Sequence, residues 1–416
     1  MDYFHYNEDQ LLAEDVPIAS ITEKFGTPCF IYSKAALENN YLAYKQAFEG
    51  HPHLICFAVK ANSNLAVLNV LANLGAGFDI VSGGELSRVL AAGGNPNKVI
   101  FSGLGKTTAE ICEGLDADIH CFNVESEAEL ERINEVALSK HKIAPVSIRV
   151  NPDVDAETHP YISTGLKENK FGVSAEPAFE LYKRAMIMKG IRVTGIDFHV
   201  GSQLTSVEPF LNALERVLQM NTQLSKEGIS IEHIDIGGGL GVTYEHEEPP
   251  TPHELVSLIK RKFSDLDLTI IIEPGRSIAA NAGILVSRVE YLKIHEGKNF
   301  AIVDGAMNDL IRPALYGAWQ KIIPVDKTPN GNPLSYEVVG PICESADFLG
   351  KNRILDIKPG DLLAVQSAGA YGFVMSSNYN SRPRAPEVMV SGKKIHLIRD
   401  RENVTDLFRN EYILPV

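Results

Sequence analysis

The most restrictive feature of the sequence is a regular alternation of short apolar runs with helix-like segments between residues 54 and 273. Eight apolar runs have the length and composition of buried strands, and they lie at 54–59, 77–81, 98–101, 119–124, 145–150, 193–198, 232–236 and 268–273. Segments with helical periodicity separate them. Eight strand-then-helix units predict an α/β fold, a (β/α)8 barrel of the TIM type, which places its chemistry at the carboxyl ends of the strands.

The pattern changes after residue 277. Strand-like segments now follow one another, separated by Gly, Pro and Asn turns, at 284–289, 299–303, 335–339, 362–365 and 387–390. This predicts a second, mainly β C-terminal domain. Residues 28–32 are also strand-like and are expected to join it. The predicted division is therefore a barrel over 35–277 and a discontinuous β-domain made of 1–34 and 278–416. The long irregular connection at 151–172, after the fifth strand, predicts a functional or mobile loop.

Composition excludes several classes of function. The net charge is −14 and no basic cluster interrupts it, which argues against nucleic-acid binding. No apolar run is long enough to span a bilayer, and the N-terminus has no basic region followed by an apolar stretch. The five cysteines are scattered without CxxC spacing, which argues against a disulfide framework and against a zinc site. We expect a cytoplasmic protein that acts on a small molecule.

Lys60 directly follows the first predicted strand. A lysine at the end of a buried strand must reach solvent, find a partner or lose its proton, because an unpaired ammonium in an apolar setting costs several kcal/mol or more. A lysine that can lose its proton is suited to Schiff-base chemistry. Taken alone, Lys60 could equally extend its amine to solvent at the rim of the strand.

Three more strand ends carry groups with chemical potential. His199 follows the sixth strand, the glycine-rich segment 237–241 follows the seventh, and Glu273 and Arg276 follow the eighth. Barrels of this class often bind a phosphate in the loops after strands seven and eight. Each feature also has a structural explanation: a rim histidine, a tight turn and an ion pair.

Together, these strand ends match the needs of pyridoxal 5′-phosphate. Its aldehyde needs an amine, its phosphate a glycine-lined loop, its ring a flat group to stack on, and its pyridine nitrogen an anion that keeps it protonated. A carboxylate at that nitrogen, rather than an arginine, favours full delocalisation of the carbanion. This suits decarboxylation better than racemisation.

Seven ordered motifs resemble one known family. They are AVKAN at 58–62, HVGSQ at 199–203, DIGGGLG at 235–241, EPGR at 273–276, RPALYGAW at 312–319, CESAD at 343–347 and GAYG at 369–372. This set resembles the alanine-racemase-fold, pyridoxal-phosphate-dependent (group IV) decarboxylases, and within them the diaminopimelate decarboxylases. The resemblance implies decarboxylation of meso-2,6-diaminopimelate to L-lysine and CO2, the final step of lysine biosynthesis, by a homodimer with shared active sites.

The resemblance also implies roles for single residues. Lys60 would bind the cofactor, His199 would stack on its ring and Glu273 would face its ring nitrogen. The phosphate would be bound by a group of neighbouring residues: Ser202, Gly238, Gly239, Gly275 and Arg276. The substrate would contact a second group: Arg276, Arg312, Tyr316, Glu344 and Tyr371, with Tyr371 also approaching the cofactor. Cys343 would donate a proton across the dimer interface, whereas without the motif it is explained as a small buried apolar residue.

Several other activities remain open on the sequence. Decarboxylases of ornithine, arginine or carboxynorspermidine share the chemistry, but their substrates lack at least one distal charged group, so Arg312 and Tyr316 would have nothing to bind. A racemase is disfavoured by Glu273. A non-catalytic carrier of the cofactor would need neither the β-domain nor Cys343 and Glu344.

Overall fold

The computed structural model describes residues 3–154, 170–329, 331 and 333–415. The chain forms two compact units. We call Glu38–Thr243 with Glu247–Ile278 the barrel unit, and Met1–Leu37, Tyr244–His246 and Ala279–Val416 the β-unit. The predicted loop at 151–172 falls largely outside the described residues. Among the helices that are described, none has the length and apolar character needed to cross a membrane.

The first elements of the chain form a small antiparallel sheet and lead into the barrel. In order they are β1 (Phe4–Asn7), β2 (Gln10–Ala13), β3 (Val16–Pro17), α1 (Ile18–Phe25), β4 (Cys29–Ser33) and α2 (Lys34–Ala47). Strands β1 and β3 both pair with β2. Strands β1 to β3 and helix α1 were not predicted from the sequence.

Strands and helices alternate through the barrel unit. They are β5 (His53–Ala58), α3 (Leu65–Asn73), β6 (Gly77–Ile80), α4 (Gly83–Ala91), β7 (Val99–Phe101), α5 (Thr108–Asp116), β8 (Cys121–Val124), α6 (Glu127–Ser139), β9 (Ala144–Asn151), β10 (Val173–Ser174), α7 (Ala175–Ile187), β11 (Ile191–Asp197), α8 (Glu208–Lys226), β12 (His233–Asp235), α9 (Pro252–Lys262), β13 (Thr269–Ile272) and α10 (Arg276–Ala279). Eight of these strands pair in parallel in the order β5-β6-β7-β8-β9-β11-β12-β13, and β13 pairs with β5. The barrel is closed, which confirms the predicted fold class.

Local sequence explains why these helices begin where they do. Thr107 and Thr251 each accept a hydrogen bond from the backbone N–H of a glutamate three residues later, whose side chain bonds back. Such capping boxes satisfy the donors that a helix start leaves without partners. Strands β6, β7 and β8 are buried at every residue, as expected for a parallel sheet covered by helices outside and filled with side chains inside.

The remaining elements form the sheet of the β-unit. They are β14 (Gly283–Lys293), β15 (Asn299–Val303), α11 (Arg312–Tyr316), β16 (Ile322–Pro324), β17 (Leu334–Val339), β18 (Phe348–Leu355), β19 (Leu362–Val365), β20 (Glu387–Ser391) and β21 (Lys394–Arg399). The sheet runs β18-β17-β15-β14-β4-β20-β21, and β19 pairs with β14 and β16. The N-terminal strand β4 thus lies inside this sheet. A mainly β second unit confirms that part of the predicted fold, although β16, β18 and β21 were not predicted.

Candidate active site

Lys60 lies in the short 3-10 turn that ends β5, at the carboxyl end of the barrel. Its Nζ lies 2.6 Å from Oδ2 of Asp79, on the neighbouring strand β6. The Asp79 side chain is fully buried, whereas 39% of the Lys60 side chain is exposed. Lys60 is therefore anchored by a buried anion while its amine can still be reached.

His199, which follows β11, is oriented by the backbone of the next strand end. The N–H of Gly238 donates to Nδ1 of His199 at 3.1 Å. Because Nδ1 accepts, the neutral ring carries its proton on Nε2. Burial, reinforced by the positive charges of Arg149 and Lys60, lowers the pKa of His199 well below its ordinary value. The site thus contains a flat, uncharged and fixed imidazole.

The loop after β12 depends on its glycines. Gly237 and Gly239 have φ angles of 65° and 121°, which side-chain-bearing residues rarely adopt. A Cβ on Gly238 would collide with the carbonyl oxygen of Glu273, and one on Gly239 would collide with that of Gly201. The backbones after β11, β12 and β13 therefore pack directly on one another. Glycine-rich loops can bind an anion through backbone N–H groups, although the N–H groups of Gly237 and Gly238 already donate to Asp235 and His199.

Arg276 adds a positive charge beside this loop. Its Nη2 donates to Oγ of Ser202 at 2.9 Å, and its side chain is buried. A Cβ on Gly275 would lie 3.0 Å from the Cβ atoms of Ala58 and Ala61. The glycine lets the segment that carries Arg276 pack against the end of β5.

Glu273, a buried acid, directly follows β13. Burial, followed by the negative charges of Asp235 and Asp79, raises the pKa of Glu273, and the charge of Lys60 opposes the rise. Oγ of Ser102 donates to Oε1 of Glu273 at 3.3 Å. A carboxyl group in this setting is charged most readily beside a cation, and a protonated pyridine nitrogen is such a cation.

The barrel interior contains charged residues that were not predicted from the sequence as part of the site. They include Asp79 on β6, Arg149 on β9, Asp197 on β11 and Asp235 on β12. Nη1 of Arg149 lies 2.9 Å from Oε1 of Glu125, and its Nε lies 3.9 Å from Oδ2 of Asp197. The available signal was a single charged residue inside an otherwise apolar run. Such a residue needs a buried partner, which only the closed barrel identifies.

Among the residues predicted for the β-unit, Arg312 and Tyr316 begin and end α11. Arg312 is buried, and its Nη1 donates to the hydroxyl of Tyr244 at 2.9 Å. Cζ of Arg312 lies 4.8 Å from the centroid of the same tyrosine ring. Tyr316 is half-buried. Tyr371 is also half-buried and has a φ of 56°, a strained conformation of the kind that clusters at functional sites.

Cys343 and Glu344 lie on the loop between β17 and β18, and both are exposed. The N–H of Cys343 donates to Oδ1 of Asn380 at 2.8 Å. Asp347 accepts the N–H of Ile342 at 2.8 Å, also through a side-chain oxygen. These bonds fix the loop on both sides of the thiol. On its own chain Cys343 is exposed, in contrast to the alternative of a buried apolar residue.

The barrel-unit residues fit pyridoxal phosphate. They provide an accessible amine at Lys60, a neutral ring at His199, a glycine-lined loop that a Cβ would obstruct at Gly238, and a buried acid at Glu273. All four lie at carboxyl ends of strands in one barrel, as predicted. The donor set therefore matches the amine, ring, phosphate and nitrogen that this cofactor presents.

Comparisons with known proteins identify the family. Residues 34–280 match the model described as the pyridoxal binding domain of pyridoxal-dependent decarboxylases. Diaminopimelate decarboxylases from Pseudomonas aeruginosa and Vibrio cholerae are 58% and 57% identical, with 100% of this chain and 100% of each relative covered. The chain belongs to the diaminopimelate decarboxylase family.

A solved member of this family has the same fold. The diaminopimelate decarboxylase from M. jannaschii, determined in complex with L-lysine, aligns with a TM-score of 0.95 and 38% identity over 100% of this chain and 98% of that one. The predicted family, fold class, decarboxylase activity and pyridoxal phosphate cofactor are confirmed. The roles assigned to single residues stay predictions.

Proposed function

We propose that this chain converts meso-2,6-diaminopimelate to L-lysine and CO2, using pyridoxal 5′-phosphate held at the carboxyl end of the barrel. One observation carries the proposal: Lys60, His199, Gly238 and Glu273 lie at neighbouring strand ends, in a chain that is 58% identical to a diaminopimelate decarboxylase. When bound, the cofactor supplies an electron sink for the electrons that the departing carboxylate leaves behind.

The barrel unit would hold the cofactor and control its charge. Lys60 would bind it through its amine, and the exposed part of the side chain gives the amine room to leave and return. His199 would stack as an uncharged ring, so it adds no positive charge that competes for electrons. Gly238 and Gly239, with Ser202, Gly275 and Arg276, would bind the phosphate. Glu273 would keep the ring nitrogen protonated.

The β-unit would contribute the groups that recognise the substrate. Meso-diaminopimelate has an amino-acid group at each end, so the end that does not react needs a cation for its carboxylate and an anion for its amine. Arg312 and Tyr316, together with Arg276 and Tyr371, would contact that carboxylate. Glu344 would contact the distal ammonium. Arg312 is suited to this role because its hydrogen bond to Tyr244 holds it in one orientation.

Cys343 would complete the reaction by donating the proton of its Sγ to the carbon that has lost CO2. An ordinary thiol has a pKa of about 8.5 and is therefore protonated at neutral pH. Because Cys343 and Glu344 are exposed on their own chain, we propose that they complete the site of a second copy in a homodimer.

We also propose that the two units act as a cofactor-binding domain and a β-domain, and that the enzyme works in the cytoplasm. The five cysteines support this location because all of them are free thiols, and disulfides persist mainly in oxidising compartments.

A comparison of substrates tests the proposed function. Purified protein loaded with cofactor is given meso-diaminopimelate, ornithine, arginine or carboxynorspermidine, and CO2 release is measured. We expect meso-diaminopimelate to react at least about 100-fold faster than any other, because the others leave distal charged groups of the site without partners. Faster release from one of the other three would assign the enzyme to that substrate. No release from any of them would contradict catalysis.

A further inference from the structure

Three polar side chains inside the barrel lead to Glu273. They are Ser102, directly after β7, Asn123 on β8 and Asp235 on β12, and all are buried. The reaction as proposed above uses none of them directly. Polar groups at such positions cost free energy unless each has a hydrogen-bond partner, so their arrangement calls for an explanation.

The three residues form an ordered chain of hydrogen bonds. Nδ2 of Asn123 donates to Oγ of Ser102 at 3.1 Å and lies 3.5 Å from Oδ2 of Asp235. Oγ of Ser102 then donates to Oε1 of Glu273 at 3.3 Å. The backbone N–H of Gly237 donates to the other oxygen of Asp235 at 3.0 Å. The chain thus connects strands β7, β8, β12 and β13.

The direction of these bonds follows from Asp235. If the Asn123 amide were flipped, its carbonyl oxygen would face the Asp235 carboxyl group, so the NH2 group must point that way. The same NH2 group donates to Ser102 and occupies a lone pair of the hydroxyl oxygen. The hydroxyl proton of Ser102 is therefore directed to Glu273. A hydroxyl can donate or accept, and here the bond that it accepts from Asn123 leaves its proton for Glu273.

Glu273 needs such a donor. The acidic side chains of Asp79, Asp197 and Asp235 oppose its ionisation, while Lys60 favours it. Arg149, another buried cation of the barrel unit, is bound to Glu125. Burial further favours the neutral acid. A neutral Glu273 would donate a hydrogen bond to an unprotonated ring nitrogen and could not act as the counter-ion of a protonated one. A hydrogen bond donated to the Glu273 carboxylate favours its charged form.

We propose that Ser102 and Asn123 are positioning residues for Glu273: Asn123 orients the Ser102 hydroxyl, and that hydroxyl keeps Glu273 a hydrogen-bond acceptor at the ring nitrogen of the cofactor. The inference rests on the proposed function, in which Glu273 contacts that nitrogen. Its consequence is that the charge on the cofactor ring depends on two neutral side chains that need not touch the cofactor.

The experiment measures the protonation of the ring nitrogen itself. Wild type and variants are loaded with cofactor labelled with ¹⁵N at that nitrogen, and its NMR signal is followed as the pH is raised. Ser102→Ala removes the donor to Glu273. We therefore expect the ring nitrogen to lose its proton at a pH about one unit lower than in wild type, which is the effect of one lost hydrogen bond. Asn123→Ala should shift the midpoint in the same direction by less, because the Ser102 hydroxyl remains but is no longer oriented.

Ser147→Ala is the matched control. Ser147 is fully buried on β9, beside Asn123 in the parallel register, and its hydroxyl has no hydrogen-bond partner within the part of the chain that the structure describes. This variant should titrate like wild type. An equal shift in all three variants would mean that the signal responds to packing in general, which would overturn the inference.

Glu273→Gln separates this inference from the proposed function. If Glu273→Gln lowers the nitrogen pKa while Ser102→Ala leaves it unchanged, the inference fails and the proposed function stands. If Glu273→Gln leaves the nitrogen protonated as in wild type, the placement of Glu273 in the proposed function fails, and the inference falls with it.

Discussion

At the scale of single residues, the pair of Arg312 and Tyr244 gives a test of the proposed substrate binding. Both residues lie in the β-unit and are buried. The tyrosine hydroxyl accepts a hydrogen bond from the guanidinium, and its ring packs nearby. The hydroxyl thus helps to fix the orientation of the guanidinium.

Tyr244→Phe removes only this hydroxyl. We expect KM for meso-diaminopimelate to rise about tenfold, the cost of one hydrogen bond to a charged group, with kcat changed less than about twofold. The reason is that the distal carboxylate is bound equally before and during the reaction. Tyr291→Phe is the control, because Tyr291 is exposed on β14. Equal KM values for the two variants would refute the positioning role of Tyr244.

Asp309, also in the β-unit, predicts a pH dependence of stability. Burial raises the pKa of Asp309 to about 7, above the unfolded value of about 3.9. Between these values the folded state binds the proton more tightly, so this group stabilises most below about pH 4 and loses its contribution as the pH rises to 7.

Asp309→Asn removes that dependence. Compared with wild type, the variant should gain stability as the pH rises from 5 to 7, by up to about 1.4 kcal/mol per pH unit. Urea unfolding of both proteins at several pH values measures the difference. Parallel pH profiles would show that Asp309 is ionised in the folded state at both ends of the range.

The sequence predicted part of the site and missed its inner residues for a physical reason. Lys60, His199 and Glu273 end apolar runs, where a polar group stands out. Ser102 and Asp235 also lie at strand ends, but a serine or an aspartate beside a turn is common. Their importance comes from partners on other strands, and those contacts exist only once the barrel closes.

At the scale of elements, a buried ion pair ties together two loops of the barrel unit. Nζ of Lys106 donates to Oε1 of Glu129 at 2.7 Å and to the carbonyl oxygens of Gly103 and Asn123 at 2.7 and 2.8 Å. The other oxygen of Glu129 accepts the N–H of Glu125 at 3.1 Å. One ammonium therefore joins the loop after β7 to the start of α6.

Lys106→Met should lower the free energy of unfolding of the barrel by about 3–5 kcal/mol, because it leaves the Glu129 charge buried without its cation. Lys183→Met is the matched control: Lys183 pairs with Glu180 at 3.2 Å on an exposed helix surface and should cost less than about 1 kcal/mol. Chemical denaturation provides both values. Equal losses would mean that burial adds nothing to the Lys106 pair.

The accuracy of the strand predictions follows burial. All eight barrel strands were predicted to within about two residues at each end, because strands covered on both faces are continuous apolar runs. The missed strands β18 and β21 are the two edges of the β-unit sheet. Their exposed residues are largely polar, as in Lys351 and Asn352 of β18, and polar edges protect a sheet from pairing with other chains. Polar residues interrupt both segments, so neither is the continuous apolar run that marks a buried strand.

At the scale of the whole molecule, we propose that each active site takes residues from two copies of the chain. Lys60 belongs to the barrel unit, and Cys343 is exposed on a loop of the β-unit. If each site takes Lys60 from one copy and Cys343 from the other, two inactive variants can restore one intact site.

Mixing Lys60→Ala with Cys343→Ala under conditions that exchange subunits should restore about a quarter of wild-type activity, because half of the dimers are mixed and each has one complete site. A mixture of Lys60→Ala with Glu273→Gln is the control and should stay inactive, since both changes lie in the barrel unit. Failure of the first mixture to recover activity would place Lys60 and Cys343 of the same chain in one site.

The most direct test of the whole account is to locate the covalent attachment of the cofactor. The loaded enzyme is reduced with borohydride, digested and analysed by mass spectrometry. We predict the mass of the reduced cofactor on the peptide that contains Lys60, and loss of both this mass and the visible absorbance in Lys60→Ala. Attachment to any other lysine, or wild-type absorbance in Lys60→Ala, would contradict the account.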